Sequence, residues 1–462
     1  MDGWVWGREG GLGDIGRWPR RLLNTGYLGA LAAVERRIPY WPSERVERLQ
    51  RRRLRAIVRH AYETVPFYRR VMDERGLRPD SFETVADLAK LPLLDDAAVR
   101  TAPEQFASTR YDDRSRRVFY SSGSLSHVRK EIYWDNASIL RKLARAERDR
   151  VVLVKLAGQP GRRRQLHIYP PAGTVPAVMG IWDEQTWVSR RLVQRRALSS
   201  AAPFPAVAVE IDTFQPHAVF SHGSYAEQFF RFLADQDVAV AVPRVWRYGG
   251  DMLSPGGREL IESFGCVVYS TYQATETGRI GFQCERREGF HLNIDLCAVR
   301  IVDDSGEPVP TGEPGEVVIS NLHNRATVLL NYRLGDRAVL APAPCPCGRS
   351  LPLLERLEGR ASDLITLADG RILPSLALEG LFRHELRPTL KVQIIHPAPG
   401  DVRWRVVPFA GVDREALGLG LRAKGRDVLG VGTRVEVEFV DDILPTPAGK
   451  VQRVVASADA RG

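Results

Sequence analysis

Lysine is scarce in this chain: seven residues in 462, against 59 arginines. Cysteine and methionine are scarcer still, at five and four. Five cysteines cannot staple a chain of this length, so a disulfide framework is excluded and a reducing, cytoplasmic setting is expected. No run of about 18 apolar residues occurs, so no membrane-spanning helix is expected. Internal repeats and low-complexity tracts are missing, which excludes solenoids and disordered tails. What remains is ordinary globular usage, 44% hydrophobic and 26% charged, at a length suited to two domains of unequal size.

The formal net charge is +10. The arginines are spread from end to end, and the densest cluster, Arg51–Arg55, lies in a segment of helical period. That distribution reads as solvated faces rather than a nucleic-acid surface. Arg20 and Arg21 precede the apolar stretch 22–34 in the outline of a twin-arginine signal. Asn24 and Tyr27 interrupt it and Glu35, Arg36 and Arg37 follow, so a surface helix is expected.

The first hundred residues read as helices, with Val46, Leu49, Leu54, Ile57 and Val58 near helical spacing. From about residue 118 short apolar runs alternate with helical stretches. Residues 151–156, 206–211, 238–242 and 266–269 read as buried strands, and 229–235 and 257–264 as helices. This alternation predicts an α/β fold with a largely parallel sheet. After about 297 the texture is β, with runs at 298–302, 315–320 and 338–340 divided by turns. The last hundred residues suit a small α+β domain, with strands at 391–395, 403–407 and 434–439 and a helix over 414–424.

Four short segments can carry chemistry. Residues 120–126 (YSSGSLS) form a hydroxyl- and glycine-rich loop in which backbone N–H groups and hydroxyls can converge on an anion, with Arg129 and Lys130 adding charge. Residues 272–278 (YQATETG) place Thr275 and Glu276 just after an apolar run, where ligands bind in α/β sheets, and one carboxylate there suits magnesium. Residues 331–336 (NYRLGD) put Asp336 after a tight turn. Residues 445–453 (PTPAGKVQR) set one of the few lysines, Lys450, on a glycine-containing loop, where a cation can neutralise charge in nucleotidyl transfer.

These segments, in this order and with GRASD at 359–363 between the last two, resemble the adenylate-forming superfamily of acyl-CoA synthetases, adenylation domains and luciferases. The stretches YETVPFYRRV with LAKLPLL, YQATE with FHLN, and RLGDRA with CPCGR and LEGRASD are similar to the phenylacetate-CoA ligase branch. Within it they resemble relatives of the synthetase that adenylylates a deazaflavin coenzyme. The likeness runs from about Val46 to Arg453.

The resemblance implies a large N-terminal α/β domain over 1–359, helical over 1–115, α/β over 116–296 and β-rich over 297–359. A hinge at 360–363 and a small mobile α+β lid over 364–462 would follow. It implies ATP and magnesium as cofactors and a small carboxylic acid, aromatic by preference, as substrate. A carboxylate would attack the α-phosphate of ATP, and coenzyme A would then take the acyl group. Ser121, Ser122, Gly123 and Ser124 would hold phosphates. Gly249, Gly250 and Asp251 would contact adenine, and Tyr272 would stack on it. Glu276, beside Thr275, would bind magnesium. Asp336 and Arg360 would hold the ribose, and Lys450 would bridge ribose, α-phosphate and substrate. His167, Tyr169 and His222 are candidates for the acyl pocket. No nucleic-acid partner is implied, and a homodimer is left open.

The chain departs from the family pattern in places. Leu125, Ser126, His127 and Val128 replace a hydroxyl residue, a glycine and a Lys-Pro pair. Ser362 stands where an aspartate is usual. The altered loop keeps a silent nucleotide-binding relative open; a different acceptor such as an amine or carrier protein, or an unusual oxyanion substrate such as nitrite, stays open because coenzyme A contacts are poorly encoded in sequence.

Cys284 with His291 and Cys345 with Cys347 form two tight pairs flanking a β segment. Three thiols and an imidazole can close a tetrahedral structural zinc site with no open position. Free buried thiols are the alternative, and the resemblance favours zinc. Cys266 and Cys297 lie in apolar runs and read as core residues.

Overall fold

Helical periodicity near the start of the chain becomes the helix Ser43–Thr64, which buries Val46, Leu54, Ile57, Val58 and Ala61 along one face. Val65 is extended because a proline follows it, and the next helix, Pro66–Glu74, opens with that proline in its first turn. The computed structural model describes residues 18–121, 130–158, 163–171, 173–187, 193–360, 363–430, 432–446 and 450–456. The stretch with the outline of an export signal lies in a helix, Trp18–Glu35.

Two units organise the chain. The first takes the described residues of Met1–Arg163, Pro171–Arg195 and Ser270–Leu357. Its hairpin pairs Arg116–Ser121 with Lys130–Asp135, and the register sets Ser121 opposite Lys130. Its larger sheet runs in the spatial order Cys297–Val302, Pro314–Asn321, Tyr332–Leu340, Leu353 onward, Phe290–Leu292, Gly278–Phe282 and the end of Val267–Ala274. The pairings resolved there are antiparallel. Leu54, Ile57, Tyr68, Trp134, Tyr272, Ile319 and Tyr332 share one apolar core.

The second unit takes Arg164–Pro170, Arg196–Tyr269 and the described residues of Glu358–Gly462. Strands Arg163–Tyr169, Ala218–Ser221 and Val245–Gly249 are parallel neighbours. The helices Phe204–Phe214 and Gly223–Asp235 supply Val207, Ile211, Phe229 and Phe230 to a core with Leu166, Val219 and Trp246. Residues beyond 363 build a four-stranded sheet in the order Arg434–Phe439, Asp401–Pro408, Thr389–Ala398, Val454–Ala456. Ile365, Phe382, Ile394, Trp404, Leu421 and Val454 form a core of their own there.

The α/β class holds; among the described residues the parallel strand pairings lie in the second unit, and the first unit has an isolated parallel bridge between Leu94 and Tyr332. Three expected strands are not strands. Residues 151–156 lie in the helix Glu147–Ala157, stopped by Gly158 in the left-handed conformation. Residues 206–211 lie in the helix Phe204–Phe214, which starts at a proline and buries one face. A short apolar run does not separate a buried strand from a buried helix, and here the flanking cap and proline decide. Residues 238–242 are irregular, and the Ala241 N–H is taken by the Asp212 carboxylate at 2.7 Å instead of a strand.

Candidate active site and metal centre

In the second unit, the carboxyl ends of the three parallel strands carry five of the expected ligand-binding residues. Tyr169 ends one strand, His222 follows the next, and Gly249, Gly250 and Asp251 close the third. Ligands in open α/β sheets bind at this edge. The rings of Tyr169 and His222 meet edge to face, with centroids 5.4 Å apart. His222 Nδ1 lies 3.1 Å from the Gly249 carbonyl. Burial pushes the Tyr169 hydroxyl up to about 12, so it stays a neutral phenol. His167 stacks on Phe220 at 4.4 Å.

Gly250 has φ +87, and a Cβ there would sit 3.1 Å from the His222 imidazole. Both the backbone conformation and the close approach require glycine. The Asp251 carboxylate accepts the Gly223 N–H and the Ser224 hydroxyl, both at 2.5 Å, and so caps the helix Gly223–Asp235.

Lys450 reaches this edge. Its ammonium donates to the Gly250 carbonyl at 2.5 Å. Arg453, three residues on, holds the same segment in place. It donates to the Met252 carbonyl at 2.9 Å, pairs closely with Glu379, and lies 3.6 Å from Glu227. Glu227 in turn pairs with Arg231 at 2.9 Å and accepts the Ser254 hydroxyl at 2.7 Å. Two arginines and two glutamates thus clamp the Lys450 segment beside the Gly249–Met252 turn. Sequence reasoning missed this clamp, since only the nearness of Arg453 to Lys450 hinted at it.

In the first unit, Tyr272 and Asp336 meet: the phenol donates to the Asp336 carboxylate at 2.7 Å. The Thr275 carbonyl accepts the Trp134 indole N–H at 2.9 Å, and the Glu276 carbonyl accepts the Asn321 amide at 2.8 Å. These contacts fix the turn that presents Glu276, whose carboxylate is buried against the Lys130 ammonium. Lys130, expected to add charge to the phosphate loop, is directed into the fold instead. Ser121 ends its strand, while Ser122, Gly123 and Ser124 lie outside the described residues. Arg360 ends the strand Leu353–Arg360 with its side chain exposed.

Cys284, His291, Cys345 and Cys347 converge, although they come from segments about 60 residues apart. Their ligand atoms all lie within 4.8 Å of one another. Cys284 and Cys345 have sulfurs 3.9 Å apart, and Cys347 Sγ is 3.3 Å from His291 Nε2. Tetrahedral zinc with Zn–S near 2.3 Å sets sulfurs about 3.8 Å apart, so the spacing fits that ion. His291 Nδ1 lies 3.4 Å from the Leu351 carbonyl, the outer contact that aims Nε2 inward. Burial opposes ionisation of Cys347, but the Arg349 N–H and guanidinium outweigh it and draw the thiol below its ordinary value. The remaining cysteines, Cys266 and Cys297, are buried in the apolar cores, as expected.

Comparison with known proteins finds relatives along most of the chain. No family model matches the chain. The phenylacetate-coenzyme A ligase of Thermus thermophilus is 25% identical over 452 residues, covering 90% of this chain and 97% of its own. The Escherichia coli enzyme of the same name is 25% identical over 365 residues, covering 76% and 79%. The chain is a homologue of the phenylacetate-CoA ligases. Its fold is that of a 2-hydroxyisobutyryl-CoA ligase in the postadenylation state, with TM-score 0.74 over 91% of both chains at 19% identity. No helix among the described residues is long and apolar enough to cross a membrane.

Proposed function

We propose that this homologue activates a small carboxylic acid, aromatic by preference, with ATP and passes the acyl group to coenzyme A. In the first half-reaction a carboxylate oxygen bonds to the α-phosphorus, the bond to the β-phosphate oxygen breaks, and pyrophosphate leaves. In the second, a thiolate bonds to the acyl carbon, the acyl–phosphate oxygen bond breaks, and AMP leaves. The observation that carries this reading is the Lys450 ammonium at the carboxyl ends of the parallel strands, 2.5 Å from the Gly250 carbonyl. A fixed cation there neutralises charge that develops on phosphate and carboxylate oxygens. Acid-dependent pyrophosphate release with hydroxylamine as trap, over a panel of aromatic and aliphatic acids plus nitrite, tests it. Release with one class of acid, with thioester formed when coenzyme A is added, is expected. ATP binding without release for any acid would overturn it.

Magnesium takes one or two protein carboxylates and completes its shell with phosphate oxygens and water. Glu276, held by its turn, supplies that donor. Glu276→Gln is expected to raise the magnesium concentration needed for adenylation by about tenfold or more, the loss of one charged ligand. An unchanged magnesium titration would remove Glu276 from the metal.

Zinc at Cys284, His291, Cys345 and Cys347 would be structural, with four protein ligands and no open position. Metal analysis of the purified chain and of Cys347→Ser is expected to differ by about one equivalent of zinc. Equal content would refute the site.

A further inference from the structure

The Lys130 ammonium is only 4% exposed, yet it has three partners. It donates to Asp96 Oδ1 at 2.5 Å and to the Tyr332 hydroxyl at 2.6 Å, and it pairs more closely still with Glu276 Oε1. An ammonium has three N–H bonds, and all three are used. Tyr332 in turn donates to Asp96 Oδ1 at 2.9 Å, and Arg100 holds the other Asp96 oxygen at 2.5 Å. Two carboxylates and two cations therefore balance in one cluster. Its members come from the helix Asp96–Thr101, the strand Lys130–Asp135, the strand Tyr332–Leu340 and the Glu276 turn.

Resting on the reading of Glu276 as the metal carboxylate, we infer that Lys130 is a positioning residue that serves as its resident counter-ion. The ammonium sits on Oε1, between two carboxylates that both point at it, and holds the Glu276 side chain in place before any metal arrives. A divalent ion has to compete with this fixed charge, and an ion without nucleotide brings no phosphate oxygens to compensate for its lost water. Metal therefore engages Glu276 together with the nucleotide and not ahead of it. The ammonium also offsets the cost of burying the Glu276 carboxylate at a site 5% exposed.

Manganese(II) binding, followed by electron paramagnetic resonance on the full nucleotide-free chain, tests this without reference to turnover. Manganese prefers oxygen ligands, so the thiolate cluster does not compete for it. The wild type and Glu276→Gln are expected to give the same titration. Lys130→Ala is expected to gain one manganese site, tighter by about tenfold or more once the competing charge is gone, and Lys130→Ala/Glu276→Gln to lose it again. A Lys130→Ala titration that matches the wild type would overturn the inference. So would tight manganese binding by the nucleotide-free wild type that Glu276→Gln abolishes, a result that needs only variants retaining Lys130. The underlying reading fails separately, by an unchanged magnesium titration of adenylation in Glu276→Gln.

Discussion

Lys450→Ala is expected to lower acyl-adenylate formation by about 10²–10³-fold while leaving thioester formation from preformed adenylate nearly intact. Loss of a single preorganised donor to a developing charge carries that magnitude, and Lys450 is a full cation. Its ammonium is set against the Gly250 carbonyl, and Thr446 N–H donates to the Lys450 carbonyl at 2.8 Å, so Lys450 is held at both its side chain and its backbone. Lys450→Arg is not expected to rescue, because a planar guanidinium does not reproduce a compact point charge. Arg453→Met keeps the ammonium but removes its anchor to Glu379 and Met252, and should give a smaller loss in the same half-reaction. Measuring pyrophosphate release beside thioester formation from synthetic adenylate separates the two halves. An equal loss in both would show that Lys450 supports the fold or both steps alike, and would end its assignment to adenylation.

The parts of this architecture legible in the sequence were those coded by scarcity or by local pattern. Five cysteines made two close Cys/His and Cys/Cys pairs conspicuous, and the four side chains do converge. Seven lysines made Lys450 conspicuous in the same way. The helix Arg414–Leu429 and the strands around it were readable because period and turns agree. The runs at 151–156 and 206–211 were not, because a six-residue apolar stretch fits a buried helix as well as a buried strand. Charged groups whose partners lie far along the chain were least legible. Lys130 and Tyr332 are 202 positions apart, and Arg453 and Met252 are 201. Proximity to a glycine-rich loop suggested that Lys130 adds charge to it, whereas in the fold the buried ammonium meets Asp96, Tyr332 and Glu276. The contact of the Asp251 carboxylate with the Gly223 N–H, 28 positions away, was equally hard to read.

Arg148→Met should be the most destabilising single change in the first unit. Arg148 is about as buried as a side chain can be, at 1% exposure, and its guanidinium bonds Glu35 at 2.5 Å, Asp295 at 2.7 and 2.8 Å, and Asn293 at 3.0 Å. Removing one partner of a buried ion network leaves uncompensated charge and costs about 3–5 kcal/mol. Arg53 still reaches Asp295 at 2.6 Å, whereas the nearest other cation to Glu35 is Arg145 at 3.8 Å, so Glu35 is the group left most exposed to the loss. Adding Glu35→Gln to Arg148→Met should therefore recover part of the stability, as measured by urea unfolding. A further loss in that double variant would contradict the charge argument. The acid limb gives an independent check. Burial alone would raise Asp295, but Arg148 and Arg53 outweigh it and hold the carboxyl down to about 2, below its ordinary 3.8. A carboxyl depressed in the folded state stabilises above its unfolded value and loses that stabilisation as pH falls through the folded one. Wild type should therefore lose stability between about pH 4 and pH 2, and Arg148→Met should lose less over the same window because less of it remains to be lost. Parallel acid limbs for the two proteins would mean that Asp295 draws its depression from Arg53 and Arg145 and not from Arg148.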